Sequence, residues 1–407
     1  MRIIFKKLTV LFLFFSTSTS FGQGTWIQKA SIPFTARWGA IGFAITNRGY
    51  VGTGYDGSIN YGDFWSYNAV TNSWSQIASI PARRSASAFT IGNYGYVCFG
   101  IDQSSNFYND IWEYDPSGNT WAQKANFPGS ARYGAAGFSI GNKGYVACGN
   151  EGSAAGPYTN DFWEYDPVTN KWTQKANFPG TPRYGLTCMG WAIGDKGYLG
   201  NGVDGYNPYH WAPDFYEYTP ATDKWIKKAD FPFGGRSYAI AFTSCNKYYS
   251  GTGQNGTALD DLWEYDPLTD KWSQMADFGG GNRWLMIGLT IHGNGYGGTG
   301  YDFTNYYNDW WMYTCNNTGV DEKKSTPNLT SLTPTVFSDF AILNIDKSIN
   351  LTTAEVKIFD VQGKEIKREI INTNILKLHK ENMKEGIYLY EVLNKGKKIG
   401  YGKFIIE

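Results

Sequence analysis

Six arginines, Arg37, Arg84, Arg132, Arg183, Arg236 and Arg283, recur along the chain, and four are followed directly by an aromatic residue: Trp38, Tyr133, Tyr184 and Trp284. Further on from each comes an acid or an amide: Asp56, Asp102, Glu151, Asp204, Asn255 and Asp302. If each stretch between folds as a hairpin, the acid falls across from the arginine, and cross-strand opposite charges help to fix register. The same belt offers forked donors for a carboxylate beside flat rings for stacking, which is the chemistry of sugar, carboxylate or peptide recognition. Tyr206, Tyr209, His210 and Trp211 form the most ligand-like group outside the repeat, and Glu151 stands out because other repeats place Asp or Asn there. Glu151 and His210 are therefore the candidates for proton transfer, should there be any.

Other chemistry finds little support. The chain has three histidines, His210, His292 and His379, and no serine or cysteine has an identifiable histidine partner. No metal set can be assigned, and no cofactor is expected. Aspartates with backbone carbonyls could hold Ca2+ in a loop or on an axis, although no EF-hand spacing occurs.

The elements that position these residues repeat with them. Asp-x-Trp (or Tyr)-x-Tyr occurs from Asp63, Asp110, Asp161, Asp214, Asp261 and Asp309, and a terminal tryptophan at Trp26, Trp74, Trp121, Trp172, Trp225 and Trp272. The period is roughly 50 residues, that of a propeller blade. Within residues 37–78, residues 39–45, 49–54, 63–68 and 73–78 read as four antiparallel strands joined by Asn- and Gly-bearing turns. Five units are complete. The sixth stops after Tyr313, and its missing outer strand is supplied by residues 25–30, so the N-terminal strand closes a six-bladed ring and removes two open sheet edges. The loops between the second and third strands, rich in Tyr, Asn, Asp and Gly, then share one face with the arginines.

Length and composition bound the rest. Of 407 residues, 36 are basic and 36 acidic, so nothing draws the chain to nucleic acid. Residues 1–22 join Arg2, Lys6 and Lys7 to an apolar run and small residues, the form of a secretory signal too short to span a membrane. No later segment is long and apolar enough to span one. Five cysteines, Cys98, Cys148, Cys188, Cys245 and Cys315, form no framework, and one disulfide of unassigned partners suits an exported chain.

The ordered arginine, the Gly-Tyr-hydrophobic-x-x-Gly strand, the Asp-x-Trp-x-Tyr strand and the terminal tryptophan together resemble kelch motifs across residues 23–315. The family's double glycine departs here to forms such as Gly52-Thr53-Gly54, with only the second glycine kept throughout. The resemblance implies an all-β chain with a six-bladed kelch-type propeller. Its relatives range from partner-binding platforms to galactose oxidase-like copper enzymes and a sialic acid mutarotase-like group, so the fold does not choose an activity. The two His and two Tyr of the copper enzymes cannot be assigned.

After Cys315 tryptophan ends and lysine rises. Residues 316–334 read as a polar linker, and residues 335–407 as a small β-sandwich. Val-Lys-Ile-Phe-Asp at 356–360, Met-Lys-Glu-Gly-Ile-Tyr at 383–388 and the closing Lys-Phe-Ile-Ile resemble the type A C-terminal sorting domain of the type IX secretion system. That resemblance implies export across the outer membrane of a Gram-negative cell, then release or surface attachment. The expected function is recognition of a glycan or protein ligand by an exported propeller, and the alternative is a mutarotase-like enzyme acting on an acidic sugar.

Overall fold

The computed structural model describes residues 24–406 apart from 154, 186–189, 207, 316–328, 334–335, 347–348, 352–353, 361–362 and 382. The expected signal sequence, most of the expected linker and Cys188 lie outside the described residues. The chain divides into two units, Met1–Thr318 and Gly319–Glu407.

In the first unit the repeat becomes a sheet. Strands Ile41–Ile45, Arg48–Gly52, Phe64–Asn68 and Ser73–Ile77, called a to d, pair in that order. Strand a alternates, with Ile41, Phe43 and Ile45 buried and Gly42 and Ala44 facing the axis. It starts two residues later than the sequence suggests. Gly39 takes a left-handed φ of 62°, and the segment before it turns aside to bridge Trp38 to Tyr55.

The described residues hold six four-stranded sheets, and the inner strand of each packs on the next in a cycle that returns to the first. The sixth is completed by Thr25–Lys29 beside Trp310–Thr314, with Trp26 opposite Tyr313. Close packing depends on glycine in strand b. A Cβ on Gly95 would lie 2.0 Å from Phe43 of the preceding blade, and one on Gly144 would lie 2.3 Å from Phe89. Each ring fills the gap that its neighbour's glycine leaves, which stabilises by about 1.5–3 kcal/mol per buried phenyl group.

A hydrogen-bonded clamp holds the rims together. Asn72 Oδ1 accepts the Tyr67 hydroxyl and the amide of Ala30 in the adjoining blade, and the Trp74 indole donates to the Ala30 carbonyl. The arrangement repeats at Asn119, Asn170, Asp223 and Asp270. Between the fifth and sixth blades Gly24 stands at this position, and only the Trp26 indole reaches across, to Ala276 at 3.3 Å. The Cys245–Cys315 disulfide joins those same two blades. Cys98 and Cys148 are buried and free.

The second unit pairs a five-stranded sheet, including Ala354–Asp360, Glu365–Ile371, Gly386–Asn394 and Lys397–Ile406, with a three-stranded one of Thr330–Thr333, Phe340–Ile345 and Ile375–His379. Val356, Ile358, Leu343, Val392 and Phe404 lie in its core. Among the described residues no helix is long and apolar enough to cross a membrane.

Candidate functional site

The arginine belt is built differently from the expectation. Arg37, Arg83, Arg132, Arg183, Arg236 and Arg283 are at most 2% exposed. Each pairs with the aspartate that opens strand c: Asp63, Asp110, Asp161, Asp214, Asp261 and Asp309, at 2.5 or 2.6 Å for all but the still shorter Arg183–Asp214 contact. The second oxygen of Asp63, Asp110, Asp161, Asp261 and Asp309 accepts the indole N–H two residues on, which accounts for the Asp-x-Trp spacing. Arg37, Arg132, Arg183, Arg236 and Arg283 also lie over Phe34, Phe127, Phe178, Phe231 and Phe278. Five of the six expected arginines are thus spent on the scaffold beneath the mouth.

The expected acids are mostly spent as well. The bridge between Trp38 and Tyr55 does bring Arg37 level with Asp56, but their side chains part, and the arginine runs down to Asp63. Asp56, Asp102 and Asp302 instead cap their own loops, accepting backbone amides two to four residues on and a tyrosine hydroxyl from Tyr61, Tyr108 and Tyr307. Burial alone would raise these carboxyls, yet the hydrogen bonds outweigh it and hold all three below the usual range. Asn255 makes a backbone turn with Thr257. Glu151 alone meets its expected partner, Arg132, at 3.0 Å.

The sequence assignment of Arg84 to the belt is corrected: Arg83 holds that place. Arg84 sits one residue further on, at the position of Trp38, Tyr133, Tyr184, Ser237 and Trp284, and bridges to Ile101 as Trp38 does to Tyr55. These residues face the mouth. The next residue in each blade, Gly39, Ser85, Gly134, Gly185, Tyr238 or Leu285, has a positive φ. Five amides of this set donate to the carbonyl of the same position one blade away: Gly39 to Leu285, Ser85 to Gly39, Gly134 to Ser85, Tyr238 to Gly185 and Leu285 to Tyr238. Left-handed backbone is costly for bulky residues. Here it lays Tyr238 across the axis, its hydroxyl 3.3 Å from where a Cβ on Gly134 would be. Tyr238 and Leu285 close the floor of the mouth, and the cavity of about 230 Å3 lined by Ala44, Thr90, Ser139, Trp191 and Thr290 is formed instead by the axial strands.

Rings line the walls. Phe107 stacks on Tyr133 at 5.5 Å, Tyr133 meets Tyr184 at 5.9 Å, Tyr184 meets Tyr238 at 6.2 Å, Tyr238 meets Trp284 at 5.7 Å, and Trp284 stacks on Phe303 at 5.3 Å. Tyr158 packs on Tyr184 at 4.8 Å, and Trp38 on Tyr55 at 5.4 Å. Burial pushes Tyr133 up to about 12 and Tyr184 and Tyr238 higher still, so all three keep their protons. Phe107, Tyr158, Tyr238 and Phe303 were not singled out by the sequence. Their only signal was membership of the loops, or of the positions just past the arginine.

The fourth blade adds a different device. Val203–Gly205 and His210–Trp211 form a two-stranded flap. Asp204, with its side chain 8% exposed, contacts His210 Nδ1 and accepts the Thr181 hydroxyl in very short hydrogen bonds. His210 is itself 68% exposed, and Tyr206, Tyr209 and Trp211 pack in sequence beside it. Among the described residues no group of three or more His, Cys, Asp and Glu is arranged to hold a metal ion.

Two family models match the chain: the Kelch motif over residues 131–179 and 253–279, and the secretion system C-terminal sorting domain over residues 340–407. A search of curated proteins finds no match. Among solved structures, one titled "Structure of YjhT" superposes with a TM-score of 0.61 at 17% identity, over 71% of this chain and 98% of that one. At that identity the likeness speaks for the fold alone. The sorting domain marks a protein that is secreted or held at the cell surface and that meets the secretion machinery through this tail. The chain is a kelch-type β-propeller that carries a type IX secretion system C-terminal sorting domain.

Proposed function

We propose that this is an exported recognition propeller that binds a glycan through its mouth. The observation that carries the reading is the run of rings from Phe107 through Tyr133, Tyr184, Tyr238 and Trp284 to Phe303 over a closed floor. Rigid aromatic faces interleaved with phenol, amide and hydroxyl groups suit the apolar and hydroxyl faces of a sugar, and most of the charges nearby are already paired. The full chain is screened on a glycan array with Ca2+ and again with EDTA. Binding that falls at least tenfold in Trp284→Ala supports the reading. Silence toward every glycan, with capture of a surface protein instead, replaces it with adhesion to a protein.

One observation favours a second reading, a sugar-active enzyme of the mutarotase-like kind. Asp204 and His210 form a carboxylate–imidazole pair that could pass a proton at the rim of the mouth. Glu151, already tied to Arg132, is the weaker candidate. Sugar anomerisation followed by NMR decides: turnover that disappears in His210→Ala would overturn a purely binding role.

A further inference from the structure

Arg84 differs from every arginine that the repeat produces. The six buried arginines are each matched by a strand-c aspartate, whereas Arg84 is half-buried in the mouth and forms no ion pair with any described carboxylate. Its Nη1 donates to Asn60 Oδ1 at 3.0 Å. Asn60 is itself fixed, since its side-chain amide donates to the Ile101 carbonyl and its backbone amide to Gln103 Oε1. The guanidinium carbon lies 4.9 Å from the centre of the Tyr55 ring and 5.6 Å from that of Trp38. Asp102 lies nearby, but its oxygens are taken by Ser104, Asn106 and Tyr108.

A guanidinium held by an amide, flanked by rings and left without a counter-ion is a site waiting for a planar anion. The rings and Asn60 fix the orientation of its plane before any ligand arrives, so little freedom is lost on binding. Tyr133, close enough to Arg84 to feel its charge, keeps its proton and can donate its hydroxyl to the same anion. Five blades place Trp, Tyr or Ser where the second places Arg84, so the charge breaks the ring's symmetry once, as a ligand with a single acidic group requires.

Resting on the glycan reading above, we infer that Arg84 is the specificity-determining residue of the mouth and that the sugar it selects carries a carboxylate, as a uronate residue does. The guanidinium binds the carboxylate through its free edge, while the ring of the same sugar lies on the neighbouring aromatic faces.

The test uses the full chain and three oligosaccharide probes of equal length: uronate-bearing, sulfated and neutral, titrated by calorimetry. The uronate probe is expected to bind at least tenfold more tightly than the other two. Arg84→Gln should weaken it ten- to a hundredfold, as loss of a charged hydrogen-bonding partner does, and Arg84→Lys should recover only part because it lacks the fork. Neither variant should shift the thermal midpoint, which separates lost recognition from lost folding. Equal binding of uronate and neutral probes, or an unchanged affinity in Arg84→Gln, overturns the inference while leaving the glycan reading in place. Preference for the sulfated probe overturns the carboxylate assignment. Failure of all three probes, together with silence on the array, removes the glycan reading and this inference with it.

Discussion

Two halves of the mouth follow different rules. In the first, second and sixth blades the loop between strands b and c obeys one recipe, in which Asp56, Asp102 or Asp302 ties down its own backbone and a tyrosine five or six residues on. In the third blade the same stretch grows into a long hairpin, Lys143–Ser153 with Gly156–Asp166, and Glu151 leaves the loop to reach Arg132. In the fourth it becomes the flap that carries Asp204, His210 and Trp211. Repetition builds the scaffold, and departures from it collect where a ligand would lie. Arg84 is a departure on the otherwise regular side, in the blade that adjoins the hairpin.

The contrast is broken most directly by treating scaffold and mouth arginines alike. Arg132→Ala strands Asp161 and Glu151 beside a buried gap and should cost about 3–5 kcal/mol. Arg84→Ala, which gives up one hydrogen bond to Asn60, should stay within about 1 kcal/mol. Urea unfolding of both variants measures the difference, and equal losses would dissolve the distinction between the two sets.

The next effect concerns the ring's seam. Because Gly24 cannot supply the side-chain acceptor found in the other clamps, the Cys245–Cys315 bond reinforces the junction of the fifth and sixth blades at its rim. Replacing both cysteines by serine should destabilise the propeller by about 2–4 kcal/mol. Asn119→Ala, which removes one clamp where no disulfide helps, should cost about 1–2 kcal/mol by leaving the Tyr114 hydroxyl and the Ala78 amide without their acceptor. If the cysteine variant melted like the parent while Asn119→Ala did not, the seam would be no weaker than the other junctions.

These distinctions were unevenly visible in the sequence. Trp26 announced the closing strand because its surroundings match those of Trp121, and the strands of the first blade fall within two residues of their expected bounds. The partner of the belt was missed because hairpin register states which residues lie level, not which way a side chain runs. Ala82-Arg83-Arg84-Ser85 offered two arginines for one place. Ala86 was the available signal, since alanine also stands three residues after Arg37, Arg132 and Arg236, where the inner strands crowd. The ring floor was not legible at all: nothing local shows that Tyr238 and Leu285 adopt the backbone that glycine takes in three other blades.

The smallest expected effect separates the two loop recipes by pH. Asp56, Asp102 and Asp302 have carboxyl groups held below their unfolded value, so the stabilisation they give is complete above about pH 4 and is lost as pH falls through the lowered values. Protonation removes the acceptor that holds the amides of Ser58, Ser104 and Thr304. Hydrogen exchange at those amides should therefore quicken under acid, relative to the intrinsic rate, while exchange within the hairpin of the third blade, held by its backbone ladder, changes less. Asp302→Ala should produce the same loosening at neutral pH in the sixth blade alone. Uniform protection across all the loops at low pH would mean that the aspartates merely decorate a turn the backbone already holds, and the division of the mouth would then rest on the flap and the hairpin.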